Sequence, residues 1–341
     1  MSAGRFVRAG VVRSIGAFLS NYPGIAVDRL LARAGIGPAE LADPDALLSF
    51  RAWVGLFEEA AEETGDQAIG LGYAEQLPWK DLGVLAYVSF HSPTLGAAYA
   101  NGSRYFAVQQ TAGRPALEVN GDEASLSYAI DDDTITAHGQ HSEALLFLFV
   151  RVGRDGARAD FTPREVRFRH RAPERDVQHR IAKAFRCPVT WSQQRDEMVM
   201  NAADLRLPLR DADPGLLPIL MRHADECLAK MPSADDFVGN VRRLVVANLS
   251  SDEVAIEDIA ARVGLSARSL QRRLQESGSS FKDVVDEARL ALARRYLEDP
   301  KLTLTEAAYL LGYSELSAFS RAFRRWTGTT AAAYRNRAKS A

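Results

Sequence analysis

Ile256-Glu257-Asp258-Ile259-Ala260 leads through Val263-Gly264-Leu265-Ser266 to Leu270-Gln271-Arg272-Arg273-Leu274, and this stretch decides how the chain is read. Apolar residues at Ile256, Ile259, Ala260 and Val263 predict a short helix with one buried face. Gly264 suits a positive φ at its C-terminal end, and Ser266 suits the N-cap of a second helix buried through Leu270 and Leu274. The order returns forty-eight residues later, with Leu304, Ala307, Ala308 and Leu311 followed by Gly312-Tyr313-Ser314. Phe319 and Phe323 come forty-nine residues after Leu270 and Leu274, so one residue is inserted after the second turn. Each copy has the pattern of a helix-turn-helix, at about 255–276 and about 303–326.

Between the copies, Phe281–Leu297 carries apolar residues at Val284, Val285, Ala288, Leu292, Ala293 and Tyr296, a linker helix at about 281–298. Such a helix spans about 25 Å at 1.5 Å per residue. Successive major grooves on one DNA face lie about 34 Å apart, so the linker and its turns are long enough to hold two reading helices in consecutive grooves. Charge agrees. From Ile259 onward there are fifteen Lys and Arg against eight Asp and Glu, in a chain whose formal net charge is −2. Phosphate neutralisation by such residues drives non-specific DNA affinity. On the first reading helix, Arg268, Gln271, Arg272 and Gln275 share the face opposite Leu270 and Leu274; arginine pairs with guanine and glutamine with adenine in the major groove. Ser317, Ser320, Arg321 and Arg324 occupy the equivalent face of the second copy. Arg294, Arg295, Arg335 and Arg337 read as phosphate contacts or solvated charge.

Residues 237–337 resemble the DNA-binding domain of the AraC/XylS family of bacterial transcription regulators, through the stretches above, Phe319-Ser320-Arg321-Ala322-Phe323, and Gly328 to Tyr334-Arg335. Ala331 stands where that family usually has proline, with no loss of fold expected. Residues 1–232 resemble the effector-binding domain of one branch of the family. Leu82-Gly83 through Ser92-Pro93-Thr94-Leu95-Gly96, Glu165-Val166-Arg167-Phe168 and Phe185-Arg186-Cys187-Pro188-Val189 carry this second likeness. The resemblance implies a cytoplasmic one-component regulator, activating rather than repressing. Its partners would be double-stranded promoter DNA, a small organic effector and RNA polymerase; a homodimer stays open, and no cofactor or membrane is implied.

The N-terminal half mixes element types. Helix periodicity covers Phe50–Thr64, Pro93–Gln110, Glu143–Val152 and Glu174–Arg186, the last ended by Cys187-Pro188. Strand alternation covers Ala124–Ile130 and Glu165–Arg171, with short strands at Val189–Trp191 and Glu197–Met200. An amphipathic helix, not a signal peptide, fits the N-terminus with Arg5, Arg8 and Arg13. The expected fold is therefore two domains: an N-terminal α/β (α+β) effector-binding domain, and a C-terminal all-α domain with two helix-turn-helix motifs joined by a linker helix. The joint falls near Met231-Pro232-Ser233-Ala234-Asp235-Asp236, in a proline-rich stretch.

Hydrophobic residues make up 47% and charged residues 25% of the 341 positions, which excludes a disordered chain. The longest apolar run, Ala144–Val150, is far short of the ~20 residues of a membrane-spanning helix. Cys187 and Cys227 are too few for a disulfide scaffold. Neither has the neighbouring histidine in sequence that an alkyl-accepting thiolate needs, so a DNA-tethered enzyme or alkylation-repair protein is the weaker alternative, with an effector-independent DNA binder as a third. His138 and His141, with Glu143 near, have a spacing two helical metal ligands use, but Gly139 interrupts a helix there; capping or surface roles are expected, and no metal or catalytic residue is assigned. Trp79, Tyr87, Phe90, His91, Tyr99, Arg104 and Tyr105 form an aromatic-rich stretch with interspersed polar groups, the candidate lining of an effector pocket.

Overall fold

The computed structural model describes residues 5–22, 24–231, 237–247, 254–263, 265–298, 302–313 and 315–339. The chain forms two units, Arg5–Met231 and a C-terminal unit. In the first, strands β1 (Phe6–Arg8) and β2 (Leu47–Ser49) pair antiparallel, and each runs directly into a helix, Ala9–Leu19 and Phe50–Thr64. Ser49 caps the second helix by accepting from the Ala52 N–H at 3.3 Å, and Gly65 ends it at φ 71°.

Five further strands form one sheet: β3 (Gly113–Asn120), β4 (Glu123–Ile130), β5 (Glu165–Arg167), β6 (Val189–Thr190) and β7 (Asp196–Asn201), in the order β3-β4-β7-β5-β6. All neighbours are antiparallel except β5 and β6. Strand β4 buries Ala124, Leu126 and Tyr128 on one face, as its alternation predicts. Helix Gly139–Gly156 packs against β7 and against helix Ile69–Gln76. At Gly70 the two helices approach so closely that a Cβ would lie 1.9 Å from the Gln140 carbonyl oxygen.

Three local expectations are corrected. Glu165–Arg171 is a strand only to Arg167, because the Arg169 N–H donates to the buried side-chain carboxylate of Asp196 at 2.8 Å instead of to a backbone carbonyl of β7. Residues 93–110 are not one helix: Leu95–Tyr105 gives way to a 3₁₀ turn, Phe106–Val108. Gly139 does not break a helix but begins one, so His141 lies in its first turn. Strand β3 lacks a sequence signal because Gly113 and Pro115 read as breakers; as an edge strand it tolerates proline.

Every described element of the C-terminal unit is a helix. Helices Phe237–Ala247, Ile256–Arg262 and Ala267–Glu276 close over one core containing Ile259, Leu270 and Leu274. Helices Leu304–Leu310, Leu316–Thr327 and Ala331–Lys339 close over a second containing Leu311, Phe319 and Phe323. The 18-residue helix Phe281–Glu298 serves both, burying Val284 and Ala288 in the first core and Ala293 and Leu297 in the second. Among the described residues no helix is long and apolar enough to cross a membrane.

Candidate functional site

Two features have the geometry of sites. The first is a cavity of about 100 Å³ inside the N-terminal unit. Helix Phe50–Thr64 turns Trp53 and Phe57 toward it, one helical turn apart; helix Leu95–Tyr105 brings Tyr99 and Ser103; helix Gly139–Gly156 brings His141, Leu145 and Phe149; Leu126 of β4 closes the floor. Its wall is overwhelmingly apolar. Several polar groups there are already used: the Tyr99 hydroxyl donates to the Phe149 carbonyl at 3.0 Å, and Gln110 Nε2 donates to the Tyr128 hydroxyl at 2.7 Å. Trp53 Nε1, Ser103 Oγ and His141 Nδ1 are buried without a hydrogen-bond partner.

His141 is 2% exposed and packed edge-on against Trp53 and Phe50, at 4.9 and 5.4 Å between ring centroids. Burial pushes its imidazolium down to about 3, so the ring is neutral at neutral pH. This corrects the expected capping or surface role. His138 stands before the helix with Nδ1 3.0 Å from the Ser142 hydroxyl, and Glu143 meets His170 Nε2 at 3.0 Å. Burial, then Glu58 and Asp66, hold the Glu143 carboxyl well above the usual carboxylate range. The three residues thus face different partners.

Of the seven aromatic and polar candidates, Trp79, Phe90 and Tyr99 line the cavity; Tyr87, His91, Arg104 and Tyr105 are not among the described lining residues. Trp79 sits at the edge, its Nε1 donating to Asp155 at 2.9 Å and its ring under the Arg151 guanidinium at 4.6 Å. Tyr87 is 49% exposed, and His91 Nδ1 bonds back to the Tyr87 carbonyl at 2.9 Å. Arg104 and the Tyr105 hydroxyl both donate to Asp225, each at 3.0 Å. Trp53, Ser103 and His141 escape sequence reasoning because a buried ring on a helical face has the same spacing whether it borders a cavity or a packed core.

The thiols differ from each other. Burial pushes Cys187 up to about 11, which keeps it a protonated thiol. Cys227 does have a histidine beside it, contrary to expectation: His223, one turn earlier on helix Leu217–Lys230, places Nε2 3.7 Å from Sγ.

The second feature is a pair of exposed helical faces in the C-terminal unit. Ser266 caps helix Ala267–Glu276 by accepting from the Ser269 N–H at 3.2 Å. With Leu270 and Leu274 buried, Arg268, Gln271, Arg272 and Gln275 all point to solvent. Thr303 and Glu306 cap the start of helix Leu304–Leu310 reciprocally, and Gly312 takes φ 74° in the turn. Gly264 and Ser314 lie outside the described residues. The N-cap of helix Leu316–Thr327 is Glu315, whereas that of the first reading helix is Ser266, which locates the inserted residue between Gly312 and Glu315. On this helix Ser317, Arg321 and Arg324 are exposed and Ser320 is half-buried, opposite the buried Phe319 and Phe323. Ser317 donates to the Glu315 carboxylate at 2.9 Å. Arg325 meets Asp286 of the linker helix at 3.2 Å, and the Arg289 guanidinium lies 5.0 Å from the Tyr313 ring centroid, tying the second motif to the linker. The last helix starts at Ala331, where the Thr330 hydroxyl accepts from the Ala333 N–H at 3.2 Å in place of a proline start.

Comparison with known proteins finds a family match within each unit. Residues 24–209 match the arabinose-binding domain of AraC transcription regulators, N-terminal, and residues 259–337 match a helix-turn-helix domain. The chain is 28% identical over 312 residues to the ornithine utilization regulator of Pseudomonas aeruginosa, covering 92% of this chain and 91% of that protein. It is 29% identical over 318 residues to the transcriptional regulator VirS of Mycobacterium tuberculosis, covering 89% of each. A transcriptional activator of a Rhodococcus species, NphR, is 27% identical over 183 residues, 51% of this chain and 54% of that one.

Proposed function

The chain belongs to the AraC family of transcription regulators, and from that premise we propose that it is an activator in which the cavity of Arg5–Met231 holds a small organic effector. It is a regulator and not an enzyme. The two helices Ala267–Glu276 and Leu316–Thr327 read promoter DNA in consecutive major grooves, in the cytoplasm, with RNA polymerase as the partner at the promoter. The observation that carries this reading is that both helices bury one face in separate cores while leaving a polar, arginine-bearing face open. An 18-residue helix of about 27 Å joins them. One chain therefore supplies two reading helices, and a second copy would extend the contact.

Arg272 and Arg321 occupy equivalent repeat positions and are assigned to base edges, with Arg268 and Arg324 beside them and Gln271, Gln275, Ser317 and Ser320 as the remaining polar contacts. Effector binding acts through a difference in its affinity for the DNA-competent and incompetent states; a ligand that binds both equally shifts nothing. NphR, named an activator, supports the direction of regulation.

The test is fluorescence anisotropy of the full chain on its own upstream DNA and on scrambled DNA across salt concentrations. Arg272→Ala and Arg321→Ala are expected to lose roughly tenfold or more on the upstream sequence and little on scrambled DNA, the signature of base reading. Equal losses on both sequences would reassign the two arginines to phosphates.

A further inference from the structure

The wall of the N-terminal cavity restricts what can occupy it. None of its described lining residues is Asp, Glu, Lys or Arg. The titratable groups that do line it are neutral: burial keeps the His141 imidazole unprotonated, and it raises the hydroxyls of Tyr73 and Tyr99 above their ordinary range. An ammonium or carboxylate entering this wall would give up its hydration with no opposite charge to meet.

Against that apolar lining stand the three unpartnered polar groups, on three different helices. Trp53 and His141 are 7% and 2% exposed, and the Ser103 oxygen is buried. Native proteins leave few such groups unsatisfied, and here three border one cavity. The indole N–H only donates; the serine hydroxyl donates or accepts; a neutral imidazole offers one donor and one acceptor. A single hydroxyl or carbonyl oxygen satisfies a donor of this set. Size narrows the class again: an apolar cavity of roughly 150 Å³ takes up benzene, and this one is smaller at about 100 Å³, so the occupant is at most one small ring or a short chain.

Resting on the reading of this cavity as the effector site, we infer that it binds an uncharged, mainly apolar molecule of that size carrying a hydroxyl or carbonyl oxygen, held by Trp53, Ser103 and His141. Neither name among the similar proteins fits the wall. Arabinose carries hydroxyls around its ring that three groups cannot all satisfy, and ornithine brings charges with no counterpart.

Isothermal titration of the full chain, with its thermal midpoint followed in parallel, tests this with phenol, cyclohexanol, benzene, benzoate, L-arabinose and L-ornithine. Phenol and cyclohexanol are expected to bind and raise the midpoint; benzoate, arabinose and ornithine are expected to do neither. Trp53→Phe and Ser103→Ala should each weaken phenol by about tenfold more than they change benzene, the difference being the worth of one buried hydrogen bond. Ser103→Ala removes one hydroxyl from a half-buried helical position, and it carries the comparison if Trp53→Phe unfolds. Benzoate binding as tightly as phenol, equal weakening of phenol and benzene in the variants, or no binding of either neutral alcohol would overturn the assignment. Phenol binding that leaves promoter affinity untouched would keep the ligand class and remove the effector role.

Discussion

His141 shows how a single side chain reports its surroundings. It is enclosed by Phe50, Trp53, Phe57 and Tyr128, and this shell disfavours the charged ring. The folded state therefore refuses a proton that the unfolded chain accepts below about pH 6.5. The unfolded state binds more protons between there and the folded value of about 3, so stability is lost as pH falls through that window. Between pH 7 and 5 the loss is about 2 kcal/mol. Glu143 opposes it, because its raised carboxyl holds a proton that the unfolded chain releases. Comparison with His141→Gln separates the two: urea unfolding at pH 7 and pH 5 should show the variant's stability falling by about 2 kcal/mol less than that of the parent. An identical fall in both proteins would mean that His141 is protonated inside the fold. None of this is legible from sequence, where His138, Gly139 and His141 look like a surface cluster.

At the scale of elements, the contact between helices Ile69–Gln76 and Gly139–Gly156 depends on a missing side chain. Gly70 donates its N–H to Gln140 Oε1 at 3.0 Å, and a Cβ there would stand 2.7 Å from the Gln140 carbonyl carbon. The obstacle is backbone, which yields only if the whole helix shifts. Gly70→Ala is expected to destabilise the N-terminal unit by about 1–3 kcal/mol through overpacking, despite alanine's better helix propensity. Chemical denaturation followed by tryptophan fluorescence checks this; a neutral or stabilising result would show that the two helices slide apart freely. Helix Phe50–Thr64 was readable to the residue because its buried face and its serine cap are both local. Strand β3 was not, since a glycine and a proline two residues apart, Gly113 and Pro115, signal a turn until the edge position is known.

For the molecule as a whole, charge distribution makes the quantitative claim. The excess of Lys and Arg after Ile259 lies in a chain with a formal charge of −2, so attraction to DNA is concentrated in the C-terminal unit. Arg268, Arg294 and Arg324 are all solvent-facing and stand apart from the two arginines assigned to base edges. If these three alone displace counterions, the slope of log K against log salt is about −2.7 on duplex DNA. Anisotropy titrations at several salt concentrations should give a slope at least this steep, and a shallower one would place some of the three away from the phosphates.

The helix-turn-helix pair, its linker and its basic faces were determined by the sequence itself, because periodic apolar residues, capping side chains and charge act over a few residues and repeat in register. The inserted residue near Ser314 was visible as a change of spacing from forty-eight to forty-nine, and the structure places it between Gly312 and the Glu315 cap. The cavity was decided only by tertiary structure. Trp53, Ser103 and His141 belong to helices far apart in the chain, each apolar-faced in a way that a packed core also requires. Whether such faces meet without a gap depends on how closely the backbones approach, which is set by contacts such as Gly70 against Gln140 and is encoded in no local pattern.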